Sequence, residues 1–577
     1  MPGNVSYSAI NGDDKNGITI STIPVNGQMR GLENIDVIEL DLAREHYGYR
    51  RFRMGKEKYK PFYLDSVATQ PSVFDDPDKA KYFWPSDDYE NSHRFDKDAR
   101  WTWREEFKVV RKIDWKIMAW VCVMFFGLEV DRSNFSLALS DNILDDLGLN
   151  TNDYNNGQAI FKISFLLAEL PSQLLSKKLG PDRWIPAQIT LWSIVASLQF
   201  FLSGRTSYFL SRSLLGVIQG GFIPDIILYL SYFYTGAELP IRCSWLWTVQ
   251  SLADISSAFL GYGILHMRGF LGQAGWRWLF LLEGLITLSI GLFSFGLMPE
   301  SPTGTASWFR GRNGWFTKRE EVIMTTRILR DDPRKGDMNN REGLSLESFL
   351  NCLKDYSLWP IYLLGLLYGI PYGPVQSYLT LTLRQMGFDT FQTTLLTVPS
   401  YVILFLNLLL FTYISEVFNS RAIVASLSQW WLLPLLAVLN TFTQETNIWV
   451  KYFVTTLTVG FINPHAIQVA WCSRNSNTVS TRTVSAALYN ISVQTSGIIH
   501  SQIYREDDKP LYRRGNRILL SVAAFNLLVY AATYVYYWRL NRRKERIWNN
   551  MSPEEQAFYV QNTSDVGSKR LDFRYAY

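Results

Sequence analysis

Charge is unevenly distributed along this chain, and that pattern decides its fold class. Residues 1–114, 299–356 and 540–577 hold 69 of the 109 Lys, Arg, Asp and Glu residues, leaving 40 for the other 367 positions. The low-charge stretches break into apolar runs at about 117–140, 156–176, 184–203, 207–235, 244–265 and 278–298, and again at about 358–383, 392–413, 421–440, 448–472, 482–503 and 516–538. A spanning helix needs roughly 20 apolar residues, so twelve transmembrane helices are predicted. A soluble enzyme, a nucleic-acid-binding domain and a fibrous protein are excluded as the main body.

The spacing is six runs, a charged gap of nearly sixty residues, then six more. It predicts an all-α integral membrane protein of two six-helix bundles, 115–298 and 357–539, joined by a linker at 299–356. Residues 1–114 and 540–577 are predicted to be cytosolic tails. The N-terminal tail, with its DDPDKAKYFWPSDDYE stretch, is expected to be mostly disordered; its Tyr82, Phe83 and Trp84 either dock on a partner or sit in a flexible segment. Within the linker, residues 317–333 predict an amphipathic helix at the inner membrane surface, with Thr317 as its N-cap. More Lys and Arg fall on the face that places both termini inside.

The net charge of +5 sits beside apolar segments rather than in a groove-like cluster, so no nucleic-acid role is expected. Cys122, Cys243, Cys352 and Cys472 form no CxxC and read as packing residues. No HxxH or HExxH occurs, so no metal or other cofactor is expected. No nucleophile and base set stands in the spans, so no enzyme activity is expected either.

An ionisable residue inside a span costs roughly 2.5–3.5 kcal/mol on insertion scales, so each needs a partner, a wet cavity or a function. The first span carries Glu129, Asp131 and Arg132; Glu129 and Arg132 stand three apart and either neutralise each other or serve a ligand. In the second span Lys162 reads best as snorkelling to an end, the alternative being a cavity-facing cation. Glu169 and Glu283 read as boundary residues that organise loops. Arg212, Asp225 and Asp254 are the remaining charges. The second half offers Tyr368, Tyr372, Gln376, Asn463, His465, Asn490 and His500. Pro464 predicts a broken helix at His465, where freed carbonyls suit a binding site, although a packing histidine fits as well.

Several segments carry a resemblance. They are DRSN (131–134), AELPSQLLSKKLGPDRWIP (168–186), RSLLGVIQGGFIPD (212–225), YTGAELPIR (234–242), GWRWLFLLEG (275–284), LMPESP (297–302) and WCSRNSNTVSTRTVSAALYN (471–490). In this order they resemble the major facilitator superfamily, in its anion:cation symporter branch with the fungal allantoate permeases. DKPLYRRGN, RILRDDPRKGDMNNR and the C-terminal residues are most similar to its carriers of sulfonates and inorganic sulfur anions.

The resemblance implies the major facilitator fold and a monomeric plasma-membrane symporter of protons and a small anion, working by alternating access. Sulfonate, sulfate or thiosulfate, allantoate, nicotinate, pantothenate and small peptides all remain open as substrates, as does a non-transporting nutrient receptor. It places the substrate on Arg132, with Asn134, Tyr368, Tyr372, Gln376, His465 and Asn490 as further candidates. Proton coupling falls to Asp131, with Asp225 and Arg212, and gating to Lys177, Lys178 and Arg183. Two departures stand out. The gating motif lacks its usual aspartate, and Gln219 replaces a glutamate common in bacterial members.

Overall fold

A computed structural model describes residues 63–577 except 82, 237, 337–354, 419, 477–478, 563–567, 569 and 572. The expectations for residues 1–62, Tyr82 and Cys352 lie outside the described residues. Among the described residues the twelve spans are helical. Span 1 runs through Ala119–Ala138, entered from the helix Trp103–Ile113 by a π-turn at Asp114–Met118. Spans 2 and 3 are Thr151–Leu179 and Pro181–Leu198. Spans 5 and 6 are Leu239–Leu265 and Gly275–Leu297. In the second half, spans 8, 9, 11 and 12 are Thr390–Phe418, Arg421–Thr441, Val479–His500 and Arg513–Asn549.

Three spans are broken, and the sequence explains each break. Span 4 is Arg205–Gln219 followed by Phe222–Ser231, interrupted where Gly221 adopts φ 86°. Span 7 divides into Trp359–Tyr368, Gly373–Ser377 and Leu379–Gln385 around Pro371. Span 10 divides into Ile448–Val459 and His465–Asn475 around Pro464. Asn463 stitches this last break, its Oδ1 accepting from the His465 amide at 3.0 Å and the Tyr368 hydroxyl at 3.2 Å.

The glycines of the RSLLGVIQGG segment let spans 2 and 4 touch. A Cβ on Gly216 would stand 2.4 Å from the Phe161 carbonyl oxygen, and one on Gly221 would stand 2.5 Å from Ser172. The two halves are sealed to each other at the end away from the linker. Thr390 donates to the Ser140 carbonyl at 3.0 Å and Tyr154 to the Ser377 carbonyl at 3.2 Å. Tyr378 donates to Asn155 Oδ1 at 2.6 Å, Asn155 donates on to the Tyr504 carbonyl, and Glu506 accepts from Thr151.

Residues 63–114 differ from the predicted disorder. The linker helix Lys318–Asp331 is capped by Thr317 and Glu320, as its sequence suggests, and its apolar face is covered by protein. It is sandwiched between this N-terminal segment and the end of the first bundle, with Ile323, Met324, Ile328 and Leu329 buried. Phe83 packs with Phe74, Tyr89 and Leu329, and Trp84 meets Phe95 edge to face. Arg330 donates to Asp75 and the Gln70 carbonyl, and Arg94 to Glu321 at 2.8 Å. The charges that suggest disorder are matched by charges more than 200 residues away.

Candidate functional site

Span 1 places its two adjacent charges in different surroundings, because neighbours on a helix point about 100° apart. Arg132 turns toward spans 2 and 4. Its Nη1 donates to Glu129 at 2.9 Å, its Nε to Gln219 Oε1 at 3.2 Å, and its guanidinium lies 5.5 Å from the Phe165 ring centre. Gln250 of span 5 holds the other Glu129 oxygen at 3.1 Å. The arginine therefore has a built-in counterion, and Gln219 orients it rather than carrying a proton. Arg132 Nη2 has no hydrogen bond among the described residues, and the side chain is 22% exposed.

Asp131 points into the first bundle, where Trp192 donates to its Oδ2 at 3.0 Å. Glu283 of span 6 lies beside it, fully buried, together with Asn134. Neither Glu283 oxygen, nor Asp131 Oδ1, has a hydrogen-bond partner among the described residues. Two expectations change here. Glu283 is an interior carboxyl rather than a loop organiser, and Asn134, 1% exposed, is turned away from the space between the halves. No local signal marks Glu283, because its place beside Asp131 depends on span 6 packing against span 1.

The structure does not bring the other proposed coupling residues to this pair. Arg212 is stacked 4.1 Å from the Phe135 ring centre, and its Nε and Nη2 are without hydrogen bonds among the described residues. Asp225 is buried in the linker-side half of span 4, accepting from Ser172 at 3.3 Å, and Trp184 and Gln188 donate to the same hydroxyl. Of the gating candidates, Lys178 is exposed and Arg183 reaches only its neighbour Asp182, at 3.9 Å. The Lys177 side chain lies outside those described.

The broken spans of the second half bring aromatic residues together. The Tyr372 hydroxyl donates to that of Tyr368 at 2.8 Å, and the Tyr368 ring stacks on His465 at 5.4 Å. His465 Nδ1 lies 3.2 Å from the Tyr489 hydroxyl, and Trp247 of span 5 meets the imidazole edge on at 4.6 Å. His465 is thus both packed and placed at the junction of the halves. Asn490 donates to Glu169 at 3.3 Å, tying span 11 to span 2. Glu169 therefore bridges the halves instead of organising a loop. Gln376 is half-buried, with no side-chain hydrogen bond among the described residues.

Lys162 departs most from its expected role. It does not snorkel. It reaches from span 2 to span 11, where a Cβ on Gly497 would stand 2.4 Å from its Nζ. It also lines a cavity of about 60 Å³ with Tyr154, Gln158, Tyr378 and His500, just beneath the seal.

Comparisons with known proteins agree with this architecture. Residues 121–500 match the model of the Major Facilitator Superfamily. The chain is 44% identical over 515 residues to the uncharacterized transporter YIL166C of Saccharomyces cerevisiae, covering 89% of this chain and 95% of that one. It is 26% identical over 453 residues to the major facilitator-type transporter hxnP of Emericella nidulans, covering 76% and 88%. The xylose transporter XylE of E. coli, in a partially occluded inward open conformation, superposes with a TM-score of 0.53 at 12% identity, covering 71% of this chain and 96% of that chain. Twelve spans in two halves, a family match over residues 121–500 and a relative 44% identical over most of both chains establish that this chain is a membrane transporter of the major facilitator superfamily and not an enzyme.

Proposed function

We propose that this chain is a proton-coupled importer of a small organic or sulfur-containing anion, of the anion:cation symporter branch, working as a monomer in the plasma membrane with both termini in the cytosol. The observation that carries the reading is Arg132, whose side chain is 22% exposed and whose Nη2 makes no hydrogen bond among the described residues. Charge-assisted hydrogen bonds to a carboxylate or sulfonate suit that nitrogen. Coupling is assigned to Asp131 with Glu283: two carboxyls side by side in a dry interior, with no cation bonded to either, form a site for one exchangeable proton. A seal at one end of the halves fits one state of an alternating-access cycle.

The aromatic group of Tyr368, Tyr372, His465 and Trp247 supports a second reading of the substrate, a carboxylate on a planar ring such as nicotinate. Uptake of labelled thiosulfate, a sulfonate, allantoate and nicotinate by a transporter-deficient yeast expressing the chain separates these. Protonophore-sensitive uptake of a sulfur anion that Arg132→Gln abolishes is expected. Uptake of none of the anions, or uptake indifferent to the proton gradient, refutes the proposal.

A further inference from the structure

We propose that Lys162, beside Arg132, supplies the uncompensated positive charge that receives the substrate's oxyanion group, at a subsite between spans 2 and 11 directly beneath the seal. The inference rests on the anion-carrier reading and names the part of the site that selects the charge.

The two cations are not equivalent. Arg132 is already neutralised by Glu129 at 2.9 Å, and Glu129 is itself held by Gln250. Lys162 makes no ion pair and no hydrogen bond among the described residues, although it is half-buried in the middle of the molecule. The charged or titratable side chains near it, Arg132 and His500, add positive charge or none, and neither offers a counterion. A buried ammonium without a counterion is costly, and an arriving anion removes that cost. Arg132, with its charge balanced, gains less from the same anion.

The surroundings suit an oxyanion. Tyr154, Gln158 and Tyr378 bring hydroxyl and amide groups to the cavity, which has a volume of about 60 Å³. A methyl group at position 497 would meet the ammonium and the end of its flexible stem, so Lys162 would have to shift. The subsite also spans the two halves, with Lys162 from the first and span 11 from the second. An anion seated there draws together the elements that must separate when the seal opens, so its presence alters the balance between the two states.

The test uses the full chain purified in detergent, with binding of thiosulfate, methanesulfonate and nicotinate measured by calorimetry and melting temperature read without ligand. The unsubstituted chain is expected to bind at least one probe. Lys162→Met should then weaken that probe by at least about tenfold, the loss of one charge-assisted hydrogen bond, while Lys162→Arg weakens it less. Gly497→Ala, which keeps the charge and crowds it, should weaken binding severalfold, so the proposal does not depend on one variant folding. If the unsubstituted chain binds and both Lys162→Met and Gly497→Ala bind within twofold of it, the subsite is overturned while the anion reading stands. If the unsubstituted chain binds none of the probes, the anion reading and the subsite fall together.

Discussion

Replacing Arg327 with glutamine should detach the linker helix from the first bundle. The Arg327 side chain is 2% exposed and bonds Glu238 through both terminal nitrogens, at 2.9 and 3.0 Å. Its Nη2 also donates to the Phe233 carbonyl at 2.9 Å, and Glu106 lies 3.5 Å away. Removing one partner of a buried pair costs about 3–5 kcal/mol, because the other charge is left unpaired. At 1.4 kcal/mol per tenfold, local opening of the helix becomes about 10²–10³·⁵ times more frequent. Hydrogen exchange of amides in Lys318–Asp331 reads this opening directly, whereas a melting curve of the whole chain mixes it with other transitions.

The pH dependence should reverse between the two proteins. Burial pushes the Glu238 carboxyl upward, but Arg327 beside it holds it below its ordinary value. A depressed carboxyl stabilises above its unfolded value, near 4.3, and that contribution disappears as pH falls. Burial raises Glu106, whose contribution is instead lost as pH rises. In the parent the bidentate Glu238 tie is intact down to about pH 4.3 and weakens below it, so exchange corrected for its intrinsic rate should speed up only on acidification from about pH 4.3 downward. In Arg327→Gln the two carboxylates face each other without a cation, so acidification should slow exchange. Equal exchange in parent and variant, or the same sign of pH response in both, refutes the argument.

Further outcomes concern the spans. Asp131→Asn should retain counterflow exchange of substrate but lose accumulation against a gradient, and Glu283→Gln should do the same in part; in proteoliposomes, full accumulation by both would remove the pair from coupling. Gly216→Val should lower the unliganded melting temperature through a cost of about 1–3 kcal/mol or more, since the new side chain meets a backbone carbonyl rather than a movable group. Glu169→Gln keeps the acceptor for Asn490 and removes the charge, so folding should be unchanged. Glu169→Leu should loosen the contact between spans 2 and 11, seen as faster exchange in Val479–His500.

Much of this architecture is legible in the sequence for a simple reason. A bilayer demands long apolar helices, and glycine and proline mark their breaks, as at Gly221 and Pro464. The Glu129–Arg132 pair is also legible, because three-residue spacing on one helix is local information. What cannot be read is which neighbour a span faces. Lys162, Glu169 and Glu283 each stand near a predicted end, and depth alone suggests snorkelling or loop contacts; their actual positions depend on packing against spans 11 and 6. The segment 63–114 is hidden for a related reason. Its charges look like those of a solvated tail until Glu321, Arg327 and Arg330 are brought beside them.

The two ends of the molecule are fastened by different chemistry. Apart from Glu506, the seal between the halves uses hydroxyls, amides and carbonyls, whereas the linker end is tied by arginine–carboxylate pairs. Dissolved salt screens the exposed members of such ionic ties and leaves neutral hydrogen bonds nearly untouched. Added salt on the linker side therefore acts on partly exposed ties such as Arg94–Glu321, and on the opposite side on the exposed pair Lys509–Glu506 at the rim of the seal, while the neutral hydrogen bonds between the halves stay in place.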